Sequence, residues 1–183
     1  MAAAGRPPVT LRAVLAAGIL LSLLFSLHAC GYRLKAEPGS RFADPALRLD
    51  LPPFANASVV PDAGAFLAGR LREELRRIGF RGAFEQAGAD YLVEGKVREI
   101  REEVSSHGAD GYALEHRLSV VVDIRVQEIT RGRVIWKEEG MGESASYFAG
   151  ADFQYTESNR RAAIEECCRR MARRIGQTIR VLM

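Results

Sequence analysis

The chain has 183 residues, 26 Lys+Arg against 23 Asp+Glu, and a net charge of +3. That near-balance gives no reason to expect nucleic acid, and three cysteines are too few for a disulfide-knit scaffold. The length fits one domain with a single core.

The first residues stand apart. Residues 1–29 hold Arg6 and Arg12, no acid, and an apolar run from Val14 to Leu27. The run is short of the roughly 20 residues that span a bilayer. A basic start, a short apolar middle and small residues at the exit describe a secretory signal peptide. It ends in Leu27-His28-Ala29-Cys30, which resembles a bacterial lipobox, the signal for attaching lipid to the cysteine and cutting just before it. His28 stands where a small or hydroxylated residue is usual. An ordinary signal peptide followed by an unmodified cysteine is the other reading. Loss of Arg6 and Arg12 lowers the net charge from +3 to +1, so the basic excess belongs partly to targeting. Residues 30–45, with Pro38, Gly39 and Pro45, read as a lipidated tether, and residues 46–183 as a single domain.

Within that domain Leu47, Leu49 and Leu51 alternate with Arg48 and Asp50, which predicts a strand ended by Pro52-Pro53 and a loop over 54–58. Asp62 is placed to cap a helix carrying Phe66, Leu67, Leu71, Leu75 and Ile78 at helical spacing, with Gly79 at its end. A loop over 81–89 follows. Tyr91, Val93, Gly95 and Val97 alternate with Glu94, Lys96 and Arg98 in a second strand, and Ile100 and Val104 fall out of phase, which predicts a bulge. A turn cluster, Gly108-Ala109-Asp110-Gly111, leads to the clearest strand. Tyr112, Leu114, His116, Leu118, Val120, Val122, Ile124 and Val126 point one way, and Glu115, Arg117, Ser119, Asp123, Arg125 and Gln127 the other. Thr130 to Arg133 makes a turn and Val134-Ile135-Trp136 starts a fourth strand. The polar, glycine-bearing stretch 140–156 reads as a connection. A closing helix starts at about Ser158, with Ile164, Cys168, Met171, Ile175, Ile179 and Leu182 on one stripe.

The order β-α-β-β-β-α predicts an α+β fold, a four-stranded mixed sheet with both helices packed on one face and the other face left polar.

Several segments together resemble the LptE family. They are Cys30-Gly31-Tyr32-Arg33-Leu34, the strand and loop from Leu49 to Asn56, the turn and strand from Thr130 to Trp136, and the helix opening Asn159-Arg160-Arg161-Ala162-Ala163. The element order is similar across the whole domain. The resemblance implies a non-catalytic lipoprotein of the outer membrane, anchored through Cys30 and facing the periplasm. Such a protein would plug the LptD β-barrel, aid its assembly and bind lipopolysaccharide on its way to the cell surface. Gly31, rather than an aspartate after the lipidated cysteine, fits sorting to the outer membrane. An accessory subunit of another envelope transport machine is the alternative, because a fold does not dictate function.

Catalytic and cofactor chemistry finds little footing. After signal removal only His107 and His116 remain, without a glycine elbow beside Ser105 and Ser106, zinc-ligand spacing or a phosphate-cradling loop. No cofactor and no metal are expected. Cys167 and Cys168 are neighbours about 3.8 Å apart at Cα, closer than a disulfide normally bridges, and diverge by about 100° on a helix. They read as core residues, Cys168 on the stripe and Cys167 at its edge.

The resemblance also implies basic residues near the hairpin tip between the second and third strands and before the last helix as contacts for lipopolysaccharide. This chain has none between Glu102 and Tyr112 or between Tyr147 and Asn159. Its candidates are instead Lys96, Arg98, Arg117 and Arg125 on the open sheet face, interleaved with Glu94, Glu115 and Asp123. Arginine suits bidentate contact with phosphate.

Overall fold

The structure is a computed structural model and describes residues 41–108, 113–150 and 152–183. The signal segment, Cys30, the tether up to residue 40, and the turn residues Ala109 to Tyr112 lie outside the described residues. A short turn, Arg41–Ala43, opens the described residues, and its Phe42 is buried in the core. The Arg41 amide donates to the Met183 carbonyl at 2.6 Å, so the two ends of the described domain meet.

The first strand is broken in two. β1 (Leu49–Asp50) pairs in parallel with Tyr91-Leu92, and β2 (Ala55–Asn56) pairs in parallel with Lys96-Val97. Between them stand Pro52 and Pro53, which have no N–H to give a ladder. Pairing stops there and resumes along the same edge. The sheet therefore has five strands rather than the expected four, and part of the expected loop after the prolines is strand.

α1 (Ala63–Arg77) buries Leu67, Leu71 and Leu75 completely. Asp62 occupies the residue before the helix, but in a left-handed conformation (φ 57°), and its side chain makes no capping bond. The expected cap is thus absent, and the helix is tied down by packing and by Arg72, which donates to the Leu51 carbonyl.

Three long strands follow: β3 (Tyr91–His107), β4 (Ala113–Glu128) and β5 (Arg133–Phe148), each antiparallel to the next, which gives the sheet order β1-β3-β4-β5 with β1 parallel to β3. The register of β3 against β4 slips after Val97 and again after Val104, the irregularity that the phase of Ile100 and Val104 foretells. β5 runs well past Trp136, through the segment that reads as a connection. A bulge at Glu139-Gly140 opposite Asp123 carries it on. Gly140 sits there at φ 69°, a conformation that suits glycine, and its amide donates to Asp123 Oδ1 at 2.8 Å.

α2 (Phe153–Leu182) begins five residues before the expected Ser158, where the Asp152 carboxylate accepts from the Gln154 amide at 2.9 Å. Ile164, Cys168, Met171, Ile175 and Ile179 are buried as the stripe requires. Cys167 is as deeply buried as Cys168, and Met183 rather than Leu182 completes the stripe. Both helices lie on one sheet face, covering Val93, Val97, Leu118, Val120, Val122, Ile124 and Val126. An α+β fold results, with one sheet face covered and the other open among the described residues.

Candidate functional site

The open face is built by alternation. Because Val93, Gly95 and Val97 point to the helices, Glu94 and Lys96 point away; because Leu118 to Val126 pack inward, Arg117, Ser119, Val121, Asp123 and Arg125 point outward. Lys96 lies opposite Asp123, and Glu94 opposite Arg125. Arg98 occupies the bulge after Val97 and reaches the same carboxylate, Arg98 Nη1 to Asp123 Oδ1 at 3.5 Å. Arg125 donates to Gln127 Oε1 at 3.2 Å and lies across from Lys137 of β5.

Lys96, Arg98 and Arg125 therefore cluster around Asp123 and Glu94. Arg117 does not join them. It sits six residues before Asp123 on β4, about 20 Å away at strand rise, opposite Glu103 and Ser146. Lys96 and Arg117 form no ion pair within 4.0 Å among the described residues, whereas Arg98 is held by Asp123. The four candidate bases thus lie at two places along this face, each with acids beside it. Cys30 lies outside the described residues.

A second polar assembly lies on the helix side, at the end of the core nearest the β3–β4 turn. After the bulge beyond Val97, Glu102 comes to the covered face, opposite Leu118. The Tyr147 hydroxyl donates to Glu102, Arg160 Nε donates to its other oxygen at 2.9 Å, and His116 Nδ1 lies 3.3 Å away. The His116 and Tyr147 rings stack with centroids 5.2 Å apart and planes 11° from parallel. Burial works to raise the Glu102 carboxyl, but the hydrogen bonds from Tyr147 and Arg160 and the charges of Arg160 and His116 outweigh it and hold it below the usual carboxylate range. Burial, with the Glu102 charge beside it, pushes the Tyr147 hydroxyl up. His116 is thus a half-buried residue at the core edge, beside Glu102 and stacked on Tyr147, and the assembly ties β3, β4, β5 and α2 together. Periodicity gives no hint of it beyond the placement of His116.

Beside it a groove of about 470 Å³ opens between the free edge of β5 and α2, lined by Ser144, Ser146, Tyr147, Phe148, Tyr155 and Asn159 among others. Asn159 donates to the Phe148 carbonyl at 3.0 Å and Arg170 to the Ser144 carbonyl at 3.3 Å, so side chains of α2 cover carbonyls of the edge strand.

Other candidates stay apart. His107 is exposed at the end of β3, and Ser105 Oγ donates to the Glu115 carbonyl at 3.3 Å. Burial pushes the Cys167 thiol up to about 11 and the Cys168 thiol up to about 12, so both are protonated at neutral pH. Among the described residues no three His, Cys, Asp or Glu side chains gather as metal ligands, and no helix is long and apolar enough to cross a membrane.

The described residues form a small α+β domain with two helices on one face of a mixed sheet. The model of the LptE family, described as lipopolysaccharide-assembly, matches residues 47–179, and the chain belongs to that family. Among solved structures, rare lipoprotein B from Shewanella oneidensis is similar in fold, with a TM-score of 0.54 and 16% identity over 72% of this chain and 92% of that one. A putative lipoprotein from Caulobacter crescentus aligns with a TM-score of 0.49 and 18% identity over 70% of this chain and 88% of its own. No curated protein matches the sequence.

Proposed function

We propose that this chain is a non-catalytic outer-membrane lipoprotein that docks in an LptD-like β-barrel and helps deliver lipopolysaccharide to the cell surface. The family match over residues 47–179 is the observation that carries this reading. The anchor is an acylated Cys30 released from a signal peptide at residues 1–29. One acyl chain holds a protein to a membrane only marginally, whereas several hold it firmly.

Lipopolysaccharide is met on the open sheet face. Lys96, Arg98 and Arg125 form one point of contact with its phosphates and Arg117 another. The cost of displacing Asp123 from Arg98 is small, because an exposed ion pair contributes at most about 1 kcal/mol. No step of bond making is assigned to any residue.

Purification of the chain from outer membranes tests the reading. A large β-barrel protein is expected to accompany it in constant ratio. Recovery of the chain alone, or with components of a different envelope transporter, would overturn it. The sheet face is tested separately by the double charge reversal Arg98→Glu, Arg117→Glu, which is expected to weaken lipopolysaccharide binding while leaving the barrel attached.

A further inference from the structure

Charge in this protein is divided by layer. α1 and α2 together carry eleven arginines, no lysine and five glutamates, a balance of +6. The rest of residues 41–183 holds eleven bases and seventeen acids, a balance of −6. A near-neutral domain thus has a strongly basic helix layer, and a one-signed field of that kind draws anions toward it.

The positive charge is concentrated where the two helices meet. Arg70 and Arg77 of α1 face Arg169 and Arg173 of α2 across a cleft of about 210 Å³, with Glu73 and Glu74 also in its lining. For scale, a water molecule occupies roughly 30 Å³ in the liquid. The close ion pairs around the cleft are intrahelical, and Arg173 of α2 adds its charge at longer range to hold the Glu74 carboxyl of α1 below the usual range. Arg70 pairs with Glu73 at 2.9 Å, Arg77 with Glu74 at 2.6 Å and Arg169 with Glu166 at 2.5 Å. Among the described residues no ion pair within 4.0 Å crosses from one helix to the other, and Arg173 has no carboxylate within that distance. Arginines from both helices thus line the cleft, with Glu74 between them. The Arg70–Glu73 and Arg169–Glu166 pairs are exposed and weak, and Arg173 is unpaired within 4.0 Å among the described residues, so these guanidinium groups are free to turn toward a shared anion. Arg77 is held through Nε and Nη2 by the mostly buried Glu74 and has Nη1 left to offer. Four planar forks, two from each side, match a tetrahedral group with several acceptor oxygens better than a single carboxylate.

From this arrangement we infer that the cleft between α1 and α2 binds a phosphate group, held between Arg70 and Arg77 on one side and Arg169 and Arg173 on the other. This site lies on the layer opposite the open sheet face and does not depend on the proposed function. The phosphate belongs either to a lipid headgroup or to a small soluble ester, since the recognising chemistry is the same.

The test uses the full chain in a nonionic detergent at low salt, titrated in a calorimeter with three probes. They are inorganic pyrophosphate, dihexanoyl phosphatidylglycerol below its micelle concentration, and dihexanoyl phosphatidylcholine as a probe without net charge. Binding is compared in the wild type, in the cleft variant Arg77→Gln, Arg173→Gln, and in the variant Arg161→Gln, Arg180→Gln, which removes the same charge from the helix layer outside the cleft. A cleft variant with a reduced thermal midpoint is replaced by Arg70→Gln, Arg169→Gln. The site predicts that cleft substitution weakens binding about tenfold or more, and that the control pair changes it by less than about threefold, as expected for loss of general attraction alone. Pyrophosphate binding with this pattern identifies the phosphate group as sufficient. The same pattern with phosphatidylglycerol only identifies a lipid headgroup. Equal losses in the two variants, equal binding of phosphatidylcholine, or no binding of either anion would overturn the inference.

Discussion

Arg160, near the start of α2, and Glu102, in the middle of β3, are joined by a 2.9 Å hydrogen bond across 58 residues of sequence. Glu102 also receives the Tyr147 hydroxyl, so one carboxylate ties the closing helix to two strands of the sheet. With Glu102 held below the usual carboxylate range, its stabilisation is full above the unfolded value of about 4.3. It is lost as pH falls through the lower folded value. Glu102→Gln is therefore expected to cost about 1 kcal/mol near neutrality, modest because the side chain is partly exposed. The gap from wild type should close in acid. Urea midpoints measured at descending pH check this, and a gap of constant size would contradict it.

The hydrophobic faces set a ranking of truncations. Ile124 and Leu71 are buried between sheet and helices, and either change to Ala is expected to cost roughly 2–4 kcal/mol. Arg125 points to the open face, and Arg125→Ala should cost less than about 0.5 kcal/mol. Denaturant midpoints in the reverse order would mean that β4 presents its faces the other way.

Two glycines in α1 should respond with opposite signs. A Cβ on Gly64 would run into the Phe54 carbonyl and its carbon, whereas one on Gly69 meets nothing within 4 Å. Gly64→Ala forces backbone apart and is expected to destabilise by about 1–3 kcal/mol. Gly69→Ala is expected to stabilise by about 0.5–1 kcal/mol through helix propensity. Thermal melts of the two variants decide it.

The paired thiols should be silent in the folded protein. Cys167 and Cys168 are buried and protonated at neutral pH. Iodoacetamide is expected to leave both unmodified in buffer and to label both in urea, as read by mass spectrometry. Rapid labelling in buffer would show that the middle of α2 opens.

The legible parts of this fold are those whose periodicity is local. Alternation from Leu118 to Val126 announces β4, and the spacing of Leu67, Leu71 and Leu75 announces α1. What escaped is held by distant partners. β5 beyond Gly140 buries only Met141 and Tyr147, so an edge strand of small polar residues resembles a loop until its partner is known. β2 hides behind two prolines because their effect is an interruption rather than an end. The Glu102 assembly joins residues 45 and 58 apart, beyond the reach of any window. On the open face, alternation correctly grouped the four bases on one side. It gave no measure of the distance that separates Arg117 from the rest, nor of Arg98 being held by Asp123.

The central claim is that this domain serves lipopolysaccharide assembly. Its most direct test is the amount of lipopolysaccharide at the cell surface when the chain is depleted and then restored from a second copy. Surface lipopolysaccharide is predicted to fall on depletion and to recover with the wild-type chain, but not with Cys30→Ala if the anchor is required for delivery. Surface lipopolysaccharide that stays constant through complete depletion would contradict the account.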